Sequence, residues 1–241
     1  MSGALPMPER GPSCGSLQAT IDVAPASVTL ARLHAQAHRD ALRVAALLPA
    51  AALALLRGGP AALQRVALEA SDRLYRAVSP AQGRFAYLIA RALNAQSIVE
   101  FGTAYGVSTL YLAAAAYDNF GGRVVTTERS PVKAARAHAH LCEAGLAPWV
   151  DLRVGDALDS LARDLPAQID MVVLDGERRD YRAVLELLRS RLRPGCVVLA
   201  PRVHGVRREA GRLIDELRSG TAGFQSTTLP YRAGMEFTVV V

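Results

Sequence analysis

Four polar clusters in this chain each follow a short apolar run, and their acids, glycines and hydroxyls are spaced to hold a nucleotide-like ligand. The first is the loop after 98–101. There Gly102 and Gly106 bracket Thr103 and Tyr105, and Val107, Leu110, Tyr111 and Ala114 then recur at helical spacing. Glycine accepts positive φ and admits a close neighbour, and a helix start presents unpaired N–H groups. Gly102 and Gly106 are therefore candidate ligand contacts. Glu128 ends the next run, 22 residues beyond Gly106, a placing from which a carboxylate can hold ribose hydroxyls. Asp156, followed by Ala157, and Asp175 end two further runs. Taken singly, Glu128 or Asp156 fits a helix cap equally well. Four such clusters in series fit the carboxyl edge of an open parallel sheet, where ligands bind. A pyrophosphate cofactor calls for GxGxxG, whereas the loop reads GTAYG, which argues against a dinucleotide and for a ligand without phosphates.

The elements that must position these groups alternate. Residues 85–93 read as an amphipathic helix entering the strand 98–101, and 124–128 as a second strand. Pro131 opens a helix through 144 that Gly145 ends, and Val150, Leu152 and Val154 alternate as a third strand stopping at Gly155. The run 169–174 is nearly all apolar, as suits a parallel strand covered on both faces. Helix 180–192, strand 196–199, helix 206–218 and strands 224–229 and 235–241 complete the pattern. Repeating β then α predicts an α/β fold: a Rossmann-like, doubly wound, mostly parallel seven-stranded sheet with an antiparallel edge hairpin. Ahead of it, 27–57 has a helical alanine-leucine pattern broken near Pro49 and stopped at Gly58 and Gly59, and Pro60 opens a second helix to about 78. The expected organisation is a flexible tail over 1–25 and an N-terminal helical segment over 26–78, followed by the ligand-binding domain over 79–241. The helical segment would cap the fold, line a substrate entrance or pair two subunits.

With 241 residues, 51% of them hydrophobic, the chain can close one sizeable core. Formal charge is +6, but arginine is spread along the chain and aromatics are 5%, so no basic, aromatic-studded groove for nucleic acid stands out. The longest apolar run, 44–56, is interrupted by Pro49 and falls short of the ~20 residues of a membrane span, so no membrane partner is expected. It suits a buried helix or a subunit contact, and a homodimer is the expected assembly. Cys14, Cys142 and Cys196 are odd in number and lack metal-type spacing, and the N-terminus lacks a signal-peptide pattern, which predicts a reducing, cytoplasmic setting. His34, His38, His138 and His140 fall on predicted helices and are expected at the surface.

From about Pro80 to its end the chain resembles the class I S-adenosylmethionine-dependent O-methyltransferases of the catechol and caffeoyl-CoA type. EFGTAYGVS at 100–108 matches the family's segment for the methionine part of the cofactor, which implies Glu100, Thr103, Tyr105 and Ser108 as cofactor contacts beside Gly102 and Gly106. TTE ending at Glu128 matches the ribose acid, and GDA at 155–157 the segment near adenine. IDMVVLDGERRDY at 169–181 resembles the family's IDxVFLDxxKxxY, with Asp175 at the position of a metal-binding aspartate and Arg178 at that of the lysine that commonly serves as base. The resemblance implies S-adenosyl-L-methionine as cofactor, 79–241 as a methyltransferase domain, and as acceptor a small molecule bearing a phenol- or catechol-like hydroxyl or a carboxylate.

Two departures change the expected chemistry. Arginine is a poor base, with a pKa above about 12. After the strand 196–199 the family's ADN, which supplies Asp and Asn to the metal, is replaced by Ala200, Pro201 and Arg202. A guanidinium beside Asp175 would occupy the charge that Mg²⁺ neutralises, so no metal site like the family's is expected. Methyl transfer from a sulfonium is an in-line displacement that needs alignment and the management of one proton. The candidates for that proton are Asp175 and His204, which reads alternatively as an exposed loop histidine, while Arg178 or Arg202 would orient an anionic oxygen. Tyr105 and Tyr181 read equally as ligand contacts and as core. Two other readings stay open: a non-catalytic S-adenosylmethionine-binding or dimerisation protein, and a tRNA-modifying methyltransferase.

Overall fold

The apolar runs pair into one seven-stranded sheet in a computed structural model that describes residues 18–46, 56, 78–203, 209–221, 223–231 and 233–241. The strands are β1 (Ser97–Phe101), β2 (Arg123–Glu128), β3 (Val150–Val154), β4 (Ile169–Leu174), β5 (Leu192–Pro201), β6 (Phe224–Leu229) and β7 (Met235–Val240). Their order in space is β3-β2-β1-β4-β5-β7-β6, parallel from β3 to β5, with β7 antiparallel to both β5 and β6. The terminal hairpin thus lays its second strand against β5. Chain order reverses between β1 and β4, where an open α/β sheet leaves a crevice at the carboxyl ends of its strands. β5 begins earlier than the run 196–199 suggests. Pro194 and Gly195 fall where its register with β4 shifts, between Ile169 and Met171, so the missing N–H of proline lies in an irregular part of the ladder.

Side chains alternate across each strand and so sort the core into two layers. Ile98, Val124, Met171 and Val197 meet helices α1 (Ala26–Ala46), α2 (Pro80–Ala92), α3 (Val107–Asp118) and the end of α4 (Pro131–Glu143). Val99, Val125, Val172 and Val198 meet α5 (Ala157–Ser160), α6 (Tyr181–Leu188) and α7 (Glu209–Ser219). Every residue of α3 from Val107 to Ala116 is buried, because the helix lies between the sheet, α1 and α2. Its alanines let the neighbours approach, and a glycine does the same on α2: a Cβ at Gly83 would fall 2.2 Å from the Tyr111 ring.

The expected tail does not run as far as Pro25. Thr20–Asp22 form a 3-10 turn with Ile21 buried, and Thr20 donates from its N–H (3.1 Å) and its hydroxyl (2.5 Å) to the Asp118 carboxylate. Tyr87 donates to the same carboxylate at 2.6 Å, and Asp22 pairs with Arg84 at 2.6 Å. One acid at the end of α3 therefore ties the N-terminal segment to the fold. Of the predicted helix 27–57, α1 accounts for Ala26–Ala46. The break at Pro49, the second helix before Val78 and the start of the helix predicted at 206 lie outside the described residues. Among the described residues no helix is long and apolar enough to cross a membrane.

Tyr111 cannot swing aside to admit a methyl group at Gly83, because its hydroxyl is held by His34 Nε2 at 3.0 Å. Gly83→Ala should destabilise the protein by about 1–3 kcal/mol, as overpacked core positions do, reversing the gain of roughly 1 kcal/mol that alanine brings at an open helical site. Urea denaturation of the two proteins measures the sign.

Candidate active site at the carboxyl edge of the sheet

Two glycines set how closely the strand ends approach. Gly102 has φ +101°, and a Cβ there would stand 2.5 Å from the Gly176 nitrogen; a Cβ on Gly176 would stand 2.6 Å from the Phe101 ring. The immediate reason for glycine at 102 is thus another strand end. The ends of β1 and β4 pass at backbone contact, and the Asp175 N–H donates to the Phe101 carbonyl at 2.8 Å. Gly106, with φ +83°, begins α3 without a side-chain cap. The loop between the two glycines is tied to β2: the N–H groups of Gly102 and Thr103 donate to the Thr127 carbonyl at 3.2 and 3.0 Å, and the N–H of Ala104 to Glu128 Oε2 at 2.9 Å. The other Glu128 oxygen accepts the Ser130 N–H at 2.8 Å.

Glu100 sits in the middle of this arrangement with no exposed surface. Thr109 and Thr126 donate to its Oε2 at 2.5 and 2.6 Å, the Thr103 hydroxyl lies 2.6 Å from that of Thr126, and among the described residues Oε1 has no hydrogen-bond partner. Burial pushes the carboxyl up to about 7, against the pull of the Ser108, Thr109 and Thr126 hydroxyls, and the nearby charge of Asp175 pushes it the same way. Asp156 caps α5 by accepting the Leu158 N–H at 2.9 Å and pairs with Arg129 at 3.1 Å; Ala157 is buried behind it. Asp156 is thus a helix cap that stands at the carboxyl edge of the sheet.

At the ends of β4 and β5 the guanidinium of Arg202 forms an ion pair with Asp175, whose side chain is 7% exposed. Arg202 takes φ +62°, its N–H donates to the Gly234 carbonyl at 2.7 Å, and its own carbonyl accepts from Arg178 at 2.8 Å. Among the described residues, no three of His, Cys, Asp and Glu gather as a metal would need.

Some predicted residues stand elsewhere. Tyr105 is buried against α4, with its carbonyl 2.9 Å from His140 Nδ1 and the Arg136 guanidinium 6.0 Å from its ring centre. That contact also explains why His140 is buried, contrary to the surface position expected. His34 is half-buried for the same kind of reason, at Tyr111, and burial lowers its pKa. Tyr181 packs edge-on to Phe101 at 6.2 Å. His204 lies outside the described residues. The sequence reading passed over Thr109 and Thr126, hydroxyls inside apolar runs, and Gln82, which lines a small cavity with Val78, Ser108, Pro201 and Met235. The spacing of Ser79 to Gln82, that of a capping box, was its only signal.

A doubly wound sheet with an uncapped glycine loop, a distal acid and two further acids along one edge defines a Rossmann-like nucleotide-binding class. The methyltransferase domain family matches residues 99–200. The catechol O-methyltransferase of Mycobacterium tuberculosis is 36% identical over 155 residues, which are 64% of this chain and 65% of that protein. That of Niastella koreensis is 34% identical over 142 residues, 58% of this chain and 62% of that protein. The chain thus spans a little under two thirds of the length of these two relatives. The crystal structure of the O-methyltransferase TomG from Streptomyces achromogenes, in complex with SAM, superposes with a TM-score of 0.61 at 32% identity, covering 68% of this chain and 82% of that one. The chain belongs to the class I S-adenosylmethionine-dependent O-methyltransferases.

Glu100 makes stability depend on pH. Its folded pKa of about 7 lies above the ordinary 4.5, so the folded state binds more protons between these values and stability falls as pH rises from 4.5 to 7. The fall amounts to about 3 kcal/mol at most. Glu100→Gln should remove that slope, which urea titrations of both proteins from pH 5 to pH 8 would measure; an unchanged slope would mean that Glu100 is ionised throughout.

Proposed function

We propose that this chain is an S-adenosylmethionine-dependent O-methyltransferase for a small-molecule acceptor, a phenol- or catechol-like hydroxyl or a carboxylate, that works without a divalent metal. The observation that carries the reading is the Arg202–Asp175 ion pair, formed where the family resemblance puts metal ligands. The donor and acceptor set fits the cofactor. Each Glu128 oxygen accepts one N–H and keeps a second lone pair for a ribose hydroxyl, and the buried Oε1 of Glu100 is an acceptor still without a donor. Gly102, Thr103, Gly106 and Ser108 border the same edge, with Asp156 and Ala157 at its adenine side.

When bound, the cofactor supplies an electrophilic methyl group. The chain's own task is to align the acceptor oxygen and to hold its charge. Arg178 and Arg202 serve that charge. Asp175 is occupied by the Arg202 guanidinium, so it takes the acceptor's proton only if Arg202 moves off it, and His204 is the other carrier in this reading. The same reading takes 79–241 as the catalytic domain and 26–78 as a helical segment that caps it and joins two copies in a homodimer. Leu42 and Leu56, exposed at either side of the apolar run, support the pairing. The exposed free thiol of Cys142 suits a reducing, cytoplasmic setting.

Calorimetry should give the same affinity for S-adenosylmethionine in Mg²⁺ and in EDTA, and turnover on an aromatic hydroxyl or carboxylate should survive EDTA. Turnover lost in EDTA and restored by Mg²⁺ would overturn the metal-free mechanism, and absence of binding in both buffers would overturn the cofactor. Light scattering should give a mass near twice the 25.7 kDa of one chain; a mass of one chain would remove the homodimer.

A further inference from the structure

Gln82 is fixed by the cap of α2. The Ser79 N–H and hydroxyl donate to Gln82 Oε1 at 3.2 and 3.1 Å, and the Gln82 N–H donates back to Ser79 Oγ at 3.2 Å. A main-chain N–H can only donate, so the branch of the amide that faces Ser79 is its oxygen and the NH₂ branch is turned away. That Nε2 is buried with no hydrogen-bond partner among the described residues, on a residue 6% exposed. The cavity that Gln82 lines is otherwise apolar, walled by Val78, Leu199, Pro201 and Met235, with one further polar side chain, Ser108 of the first turn of α3. A donor left unpaired in such surroundings is costly. It calls for an oxygen acceptor. Beside it stand a hydroxyl and the uncapped start of a 12-residue helix, both of which favour an anion. Glu100, which accepts from the Thr109 hydroxyl one residue further along α3, puts an acid close to this anion site. An anion site adjoining an acid matches the carboxylate and ammonium of an amino acid.

We propose that Gln82 is a binding residue for that carboxylate, its Nε2 donating to the amino-acid carboxylate of S-adenosylmethionine. The assignment rests on the cofactor reading above. It makes Gln82 a residue that separates the intact cofactor from adenosyl compounds lacking the amino-acid end.

The test is calorimetric titration at pH 8 of wild type, Gln82→Glu and Gln82→Met. The ligands are S-adenosylhomocysteine and 5′-methylthioadenosine, which keeps the adenosine but has no carboxylate. Glutamate retains the oxygen that Ser79 needs and replaces the donor by a charge; methionine removes the donor without adding one. S-adenosylhomocysteine should bind about 10- to 100-fold more weakly to Gln82→Glu and about tenfold more weakly to Gln82→Met, as expected for the loss of a hydrogen bond to a charged group. Methylthioadenosine should bind all three proteins alike, which also reports that the variants are folded. Unchanged affinity for S-adenosylhomocysteine, or equal loss for both ligands, overturns the assignment. So does a variant altered only in KM for the acceptor, since the carboxylate read by Gln82 would then belong to the acceptor. Wild type that binds neither ligand would defeat the cofactor reading itself, a separate outcome.

Discussion

The backbone contact between the ends of β1 and β4 is the constraint on which the rest of the site depends. Gly102 and Gly176 leave no side chain between the two strands, and the Asp175 N–H closes on the Phe101 carbonyl. This is the point at which the chain reverses its direction of travel across the sheet, so everything held on one side, the Thr103–Tyr105 turn, Glu128 and Asp156, faces what is held on the other, Asp175 and Arg202. The loop after β1 adds three N–H bonds to the end of β2, to Thr127 and Glu128, and so has little freedom to close over or away from the edge. Among the described residues, the groups at this edge stand on strand ends and on loops tied to them by backbone hydrogen bonds.

Two buried glutamates in the same sheet show how differently one side chain can be accommodated. Glu236 on β7 is 1% exposed, yet its pKa is lowered: burial pushes it up, but Arg218, Thr228 and Ser226 more than offset that through hydrogen bonds to both oxygens. Among the described residues Glu100 has hydroxyls alone for partners, and one of its oxygens has none. A fully paired acid is a fixture of the fold. An acid held by neutral donors with an oxygen to spare is poised to receive a cation, at the cost of stability when nothing is bound.

The ends of β4 and β5 set an arginine against an acid. Arg202 adopts a left-handed backbone angle that a residue with a side chain rarely takes, and is held there by the Gly234 carbonyl and by Arg178. The outcome is a guanidinium seated on Asp175, a positive charge supplied by the chain itself. Arginine brings direction as well as charge, since its planar fork fixes where an oxygen can lie.

Most of the sheet was legible in the sequence, because apolar runs of strand length separated by helical periods leave few arrangements, and the right-handed crossover rule leaves fewer. The four clusters at the carboxyl edge followed from that alternation, whereas the expectation of a guanidinium beside Asp175 came from comparing residues 200–202 with the family's pattern. What the sequence could not carry is which partner each polar group finds. Tyr105 and Gly102 lie in the same loop, yet one turns into the packing of α4 and the other meets the Gly176 backbone. The 3-10 turn at Thr20 is held by Asp118, 98 residues away, so a stretch of weak local propensity is ordered by a distant acid. Gln82 reads locally as half of a capping box, and only the tertiary structure decides that its amide nitrogen is buried with no partner among the described residues. Periodicity along the chain records which face of an element is buried, and so determines layers and order. Contacts between elements far apart in sequence decide how each buried polar atom is satisfied, and no local pattern encodes them.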